Sequence, residues 1–154
     1  ELDPLIVDVA AEHDVPYVAM HMKGDPRTMQ SMTDYRDIVA EVVDYFRERT
    51  AQLRERGVRR IVVDPGFGFA KTLEQNYELL RGLHRLAELG YPVLAGVSRK
   101  SMIYKLIGTT PAEALNGTTA LHWECLRQGA VILRAHDTRE AVEVVRMFDQ
   151  FMQA

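Results

Sequence analysis

Three clusters in this 154-residue chain have residue types and spacing that could do chemistry. Asp64 closes the apolar run Ile61-Val62-Val63 and is followed at once by Pro65-Gly66-Phe67-Gly68-Phe69. A carboxylate placed there can accept two hydrogen bonds from an amidine-like edge such as a 2-amino-pyrimidinone, or it can cap the turn that follows. Ser98-Arg99-Lys100-Ser101 forms a short cationic turn at a helix start. That turn suits an anionic or carbonyl oxygen, and its bland reading is a solvated turn. Arg134-Ala135-His136 sets two cation-capable groups on one side of an extended segment, just before another helix. On one face, these features describe a phosphate or pyrophosphate pocket. His136 taken alone reads as a structural histidine.

Weaker candidates surround these. Met20 and Phe69 read as apolar walls for a flat ligand, His21 as a core or rim residue, and Lys71 as a rim cation or a solvated side chain. His13, His84 and His122 fall on helical pattern without metal-ligand spacing, and Trp123 and Cys125 read as packing residues. The chain has no HExxH, paired CxxC, Walker loop or GxGxxG, so metalloprotease, zinc-finger, nucleotide-triphosphatase and Rossmann readings lack support. No Ser-His-Asp order can be argued.

These side chains can act together only if the chain gathers them. Residues 5–12 read as helix, 17–20 as a strand after Pro16, 22–32 as a loop, and 34–56 as a long amphipathic helix stopped by Gly57. Residues 60–64 form a strand whose continuous apolarity suits burial on both faces. A glycine-rich loop over 65–71 leads into the capping box Thr72-Leu73-Glu74-Gln75 and a helix to Gly90. Residues 92–97 make a third strand, 101–107 a short helix, and Thr110-Pro111-Ala112-Glu113 a second capping box for a helix to Gln128. Residues 130–133 make a fourth strand, and Asp137 caps a last helix to Met152.

Strands alternating with helices imply βαβ units and a parallel sheet, hence an α/β fold. Either a doubly wound open sheet or part of a (β/α)₈ barrel would do. Parallel strands put all their C-terminal ends on one face, so His21, Asp64, Lys100, Arg134 and His136 converge there.

Composition narrows the function classes. The net charge of −3 argues against a nucleic-acid partner. No apolar run approaches the roughly 20 residues of a membrane span. The single cysteine, Cys125, fits a reducing, cytoplasmic setting.

The segments MHMKGDPRTMQ (20–30), DPGFGFAKTLEQNYELL (64–80), GVSRKSMI (96–103) and LRAHDTREA (133–141) together resemble the dihydropteroate synthases over almost the whole chain. The resemblance implies a TIM-barrel transferase of folate biosynthesis. It joins 4-aminobenzoate to 6-hydroxymethyl-7,8-dihydropterin pyrophosphate, releasing pyrophosphate, with Mg²⁺ assistance; sulfonamides compete with the aminobenzoate. By motif, Asp64, Lys100, Met20, Phe69 and Arg134 would bind the pterin. Arg134 and His136 would hold the pyrophosphate, and Phe69, Arg99 and Ser101 would meet the 4-aminobenzoate. A homodimer through the outer helices is implied as well.

The family carries further motifs before this region: an Asn-containing first strand that helps hold Mg²⁺, two mobile loops, and more pterin-gripping side chains. The expectation is therefore that residues 1–154 are the C-terminal half of a single barrel, its last four βα units, and that this chain alone is not a competent enzyme. A methyltetrahydrofolate:corrinoid methyltransferase type of pterin barrel and a non-catalytic half-barrel are the alternatives. Arg134, His136 and the SRKS turn favour the synthase.

Overall fold

The computed structural model describes residues 3–24, 27–28 and 31–154. Four short strands, β1 (Tyr17–Met20), β2 (Ile61–Asp64), β3 (Leu94–Ala95) and β4 (Ile132–Leu133), alternate with helices. The helices are α1 (Leu5–Glu12), α2 (Ile38–Glu55), α3 (Leu73–Arg81), α4 (His84–Ala87), α5 (Ser101–Ile107), α6 (Leu115–Arg127) and α7 (Thr138–Gln153). β1 and β2 run parallel with Met20 opposite Asp64, and β3 and β4 run parallel with Ala95 opposite Leu133. A bridge between Val63 and Val93 joins the two pairs, so the spatial order is β1-β2-β3-β4. The expected parallel α/β architecture is present.

β2 is buried at all four positions, as its unbroken apolarity requires. Its helix-side neighbours are the methyl-rich stripe Ile38, Val39, Val42, Val43, Phe46 and Leu53 of α2, spaced mostly three and four apart. Leu79, Leu83, Leu86, Met102 and Ile103 complete this outer core. Alternation along the strands puts Val18, Met20, Val62, Asp64, Leu94 and Ile132 on the opposite face. Val18 and Ile132 are exposed there. No described helix is long and apolar enough to cross a membrane.

Several boundaries differ from the sequence reading, each for a local reason. α2 starts at Ile38 rather than 34, because Asp37 is the residue that caps it, accepting from Ala40 N–H at 2.9 Å. The capping box at Thr72 forms as expected, with Gln75 reciprocating. The helix it opens breaks at Gly82 instead of reaching Gly90. A Cβ at Gly82 would sit 2.7 Å from both Val39 methyl carbons, so the break lies against α2 at a distance only glycine permits. The third and fourth strands shrink to two residues each. Pro92 has no N–H for the ladder, and Val131 and Ile132 N–H both donate to Val93 O, at 3.0 and 3.2 Å, which disturbs even pairing.

The capping box expected at Thr110 does not form. Pro111–Glu113 is a 3₁₀ turn, and the Thr109 and Thr110 hydroxyls donate to Glu113 Oε2 at 2.7 and 3.0 Å. Asp137 occupies the N-cap position of α7 but makes no side-chain cap bond. Its carboxylate is engaged elsewhere. Part of the 22–32 loop lies outside the described residues.

Candidate active site

Asp64 is the innermost polar group of the strand-end face, with 1% of its surface exposed. Its Oδ1 accepts the Gly66 N–H at 2.8 Å. Its Oδ2 is buried and accepts no hydrogen bond among the described residues. Arg134 Nη2 stands 3.3 Å from that oxygen, close enough for ion pairing but not aligned as a hydrogen bond. Burial pushes the Asp64 carboxyl up, against the pull of the Gly66 N–H, Arg134, Lys100 and Lys71. The turn that makes this possible needs glycine at 66: φ is +68°, and a Cβ would lie 2.0 Å from His21 O.

The loop after Asp64 is held from below. Lys71 Nζ donates to Gly66 O at 3.0 Å and to Phe69 O at 2.9 Å, and lies 3.1 Å from His21 Nδ1. Gly68 N–H donates to Asn76 Oδ1 at 2.7 Å. Lys71 is therefore a buried strut, neither the rim cation nor the solvated side chain that the sequence suggested. Burial lowers its ammonium to about 7. Burial also holds His21 neutral, down to about 3, with Lys71 and Lys23 adding to the shift. The His21 ring meets Tyr45 edge to face at 4.9 Å, which agrees with a core position.

Lys100 crosses above the same loop. Its Nζ donates to Phe67 O and sits 4.8 Å from the centre of the half-buried Phe69 ring. Burial lowers it to about 8, while Asp64 pulls it back up. Met20 ends β1 directly beside Asp64, half-buried on the same face. Gly96, Ser98, Lys100, Arg134 and His136 line a recess of about 140 Å³. The Ser98 hydroxyl there lies 3.0 Å from His136 Nδ1 and accepts the His136 N–H at 3.1 Å.

Arg99 and Ser101 point away from that recess. Arg99 adopts φ +54° and turns its guanidinium to Asp137, with Nε to Oδ2 and Nη2 to Oδ1 both at 2.8 Å. Its Nη1 donates to Pro111 O and Ala112 O. Ser101 lines a second recess of about 270 Å³ beyond Lys100, with Gly68, Lys71, Thr72 and Asn76. The structure thus gathers Asp64, Lys100, Met20, Phe69, Arg134 and His136 on one face. It sets Ser101 next door and commits Arg99 to an internal partner. Gly96 is a contributor that the sequence left unassigned, while Lys71 and Asp137 contribute in ways other than the rim or solvated position and the helix cap expected of them.

No group of three His, Cys, Asp or Glu side chains able to hold a metal ion occurs among the described residues. The chemistry on offer is that of one buried acceptor oxygen beside an arginine and a lysine, which in turn share a recess with a histidine. That arrangement can grip a flat donor edge and an attached anion together.

Comparison with known proteins places these residues in company. The family model of the pterin binding enzymes matches residues 1–136. Dihydropteroate synthase of Escherichia coli K12 is 41% identical over 154 residues, covering 99% of this chain and 55% of that protein. The crystal structure of dihydropteroate synthase from Thermus thermophilus in complex with 6HMPPP superimposes with a TM-score of 0.92 at 41% identity, covering 96% of this chain and 60% of that one. The same enzyme in complex with 4-aminobenzoate gives 0.92 as well. The Yersinia pestis enzyme with a sulfonamide drug complex gives 0.95 at 34% identity, covering 99% and 56%. The chain spans about half the length of the curated relatives it matches.

Proposed function

This chain belongs to the pterin-binding enzyme family, and from that premise we propose that it provides the pterin-gripping part of a dihydropteroate synthase. Its four strands are then the last four of a (β/α)₈ barrel, and residues 1–154 form one pterin-binding unit. The reaction is condensation of 6-hydroxymethyl-7,8-dihydropterin pyrophosphate with 4-aminobenzoate, giving 7,8-dihydropteroate and pyrophosphate. The observation that carries this reading is the buried Oδ2 of Asp64, which accepts no hydrogen bond among the described residues and has only the ion-pair contact of Arg134. A buried carboxylate oxygen left open is costly unless a ligand donor fills it, and the 2-amino-pyrimidinone edge of a pterin is such a donor.

The roles follow from position. Asp64 accepts from the pterin's amino edge. Lys100 donates to the carbonyl and N5 side, and Met20 and Phe69 wall the ring. Arg134 lies against the heterocycle and, with His136, neutralises the pyrophosphate. The aminobenzoate lies beyond Phe69 toward the recess lined by Ser101. Its amine nitrogen attacks the exocyclic methylene carbon as the carbon–oxygen bond to pyrophosphate breaks, and the amine then loses one proton. The leaving group carries away both electrons of the broken bond. Arg134, His136 and Lys100 stabilise that growing charge, so this chain's share of catalysis is electrostatic preorganisation and positioning. Sulfonamides would compete at the aminobenzoate position.

Mg²⁺, when bound, would supply further neutralisation of the pyrophosphate charge. The described residues offer it no fitting donor set, so its protein ligands are proposed to lie elsewhere in the complete enzyme. A second copy of the chain is proposed to pack on the outer helices. Met147, Phe151 and Met152 are exposed on α7, beside the Trp123–Phe148 and Trp123–Phe151 aromatic contacts. A cytoplasmic setting is proposed, supported by the lone buried thiol of Cys125.

Titration calorimetry on the protein tests the reading. Pterin pyrophosphate is expected to bind at least about tenfold more tightly than the pterin alcohol, since the phosphate contacts add charge-assisted hydrogen bonds. Equal affinity would overturn the synthase assignment and favour a pterin site without an anion pocket, as in the corrinoid methyltransferases.

A further inference from the structure

We propose that Arg99 and Asp137 act as a positioning pair that sets the anion recess and silences a carboxylate beside it, and that Arg99 is not itself a ligand of the substrates. The inference rests on the proposed pyrophosphate site and departs from the role that the sequence resemblance gives Arg99.

The guanidinium of Arg99 is almost fully used inside the protein. Of the five N–H donors a guanidinium carries, four are directed at protein oxygens: two at Asp137 and two at the carbonyls of Pro111 and Ala112. Both Asp137 oxygens are occupied, in the fork geometry that Arg would otherwise offer a ligand carboxylate. The pair is sheltered, with side-chain exposures of 22% and 19%. Arg99 also gives its backbone N–H to the buried Thr118 hydroxyl at 3.0 Å. These contacts hold it in a left-handed conformation that a non-glycine residue adopts at a cost.

Arg99 lies between Ser98 and Lys100 after β3, and Asp137 directly follows His136 after β4. Ser98 meets His136 twice, and Arg99 meets Asp137 twice, one residue further on. The two turns are stitched at adjacent positions, so Lys100 and His136 face the recess from fixed backbones. Electrostatics add a second effect. An unpaired Asp137 would put a negative charge next to His136, where an anion must bind, and Arg99 cancels it.

A charge cycle tests the pair, with inorganic pyrophosphate as the titrant. Arg99→Gln is expected to weaken pyrophosphate binding about 10- to 30-fold, because it leaves Asp137 unpaired in a sheltered site. Arg99→Gln/Asp137→Asn, which carries no unpaired charge, should return affinity to within about threefold of wild type. A direct ligand role predicts the opposite, with the double variant no tighter than the single one, and that result overturns the proposal. If Arg99→Gln alone does not fold, the double variant is compared with wild type directly; a loss beyond about 100-fold would show that the ligand needs the guanidinium itself. The His136 ring Cε1–H resonance gives a readout independent of any ligand. It should move in Arg99→Gln and return in the double variant, and an unmoved resonance counts against positioning. Absence of pyrophosphate binding in the wild-type protein would overturn the proposed function, while the resonance would still decide the pair.

Discussion

Arg134 reaches across β3 to Asp64, placing Nη2 3.3 Å from the buried Oδ2, and it can do so because Gly96 between them has no side chain. The cation comes from the end of β4 and the anion from β2. Arg134 is half exposed and Asp64 is not. The pair therefore has one fixed member and one that can move aside when a ligand enters.

Asp64→Asn tests the fixed member. Asparagine keeps an acceptor for the Gly66 N–H but loses the charge that the pterin edge uses. Hydrogen bonds to charged groups contribute about 1.5–3 kcal/mol, so pterin affinity should fall about 10- to 100-fold, read by ligand fluorescence titration. Stability should not fall with it. The folded carboxyl sits above its usual value, so its stabilising contribution is present at low pH and is lost as pH rises through the folded value. At pH 7 the variant should melt no lower than wild type.

Gly96→Ala tests the moving member. The new Cβ would lie 2.9 Å from Arg134 Nη2 and 3.0 Å from Nε, and a flexible side-chain end can retreat. The expected outcome is a loss of about tenfold in pyrophosphate affinity, the size of one displaced charge-assisted contact, with a melting temperature within about 3 °C of wild type. A collapse in stability with unchanged affinity would show that Arg134 was not the group displaced.

Lys71→Met separates a buried charge from its surroundings. The wild-type ammonium titrates near 7 when folded, from an ordinary 10.5. Above the folded value and below the unfolded one, the unfolded chain holds a proton that the folded chain lacks. Wild-type stability from this group therefore rises with pH across that window, by up to about 1.4 kcal/mol per unit. The difference between Lys71→Met and wild type in urea unfolding should shift against the variant as pH goes from 7 to 9. A pH-independent difference would place the ammonium in solvent.

Lys100 offers a chemical readout. With its ammonium lowered to about 8, it should be acylated by trace acetic anhydride with a midpoint near that pH, ahead of exposed lysines, as followed by peptide mass spectrometry. Added pterin should protect it.

The residues that were legible in the sequence share one property. Asp64, Lys100 and Arg134 each follow an apolar run closely and stand at a turn, so strand direction alone sends them to the same face. The pairing of Arg99 with Asp137 is not legible locally, because the two lie 38 residues apart, a distance no local pattern spans. The same long-range pair removed Asp137 from its expected capping role. The burial of Lys71 depends on the loop folding back over it, and the break at Gly82 depends on α2, which local spacing cannot reveal. Capping at Thr72 was legible because both its partners lie within one turn.

The contact between Gly82 and Val39 carries an evolutionary consequence. A side chain at 82 is excluded only while a branched residue occupies 39. Homologues should therefore show the two sites changing in concert, with alanine at the first accompanied by a smaller neighbour at the second. Alanine at 82 opposite an unchanged branched residue at 39 should be rare.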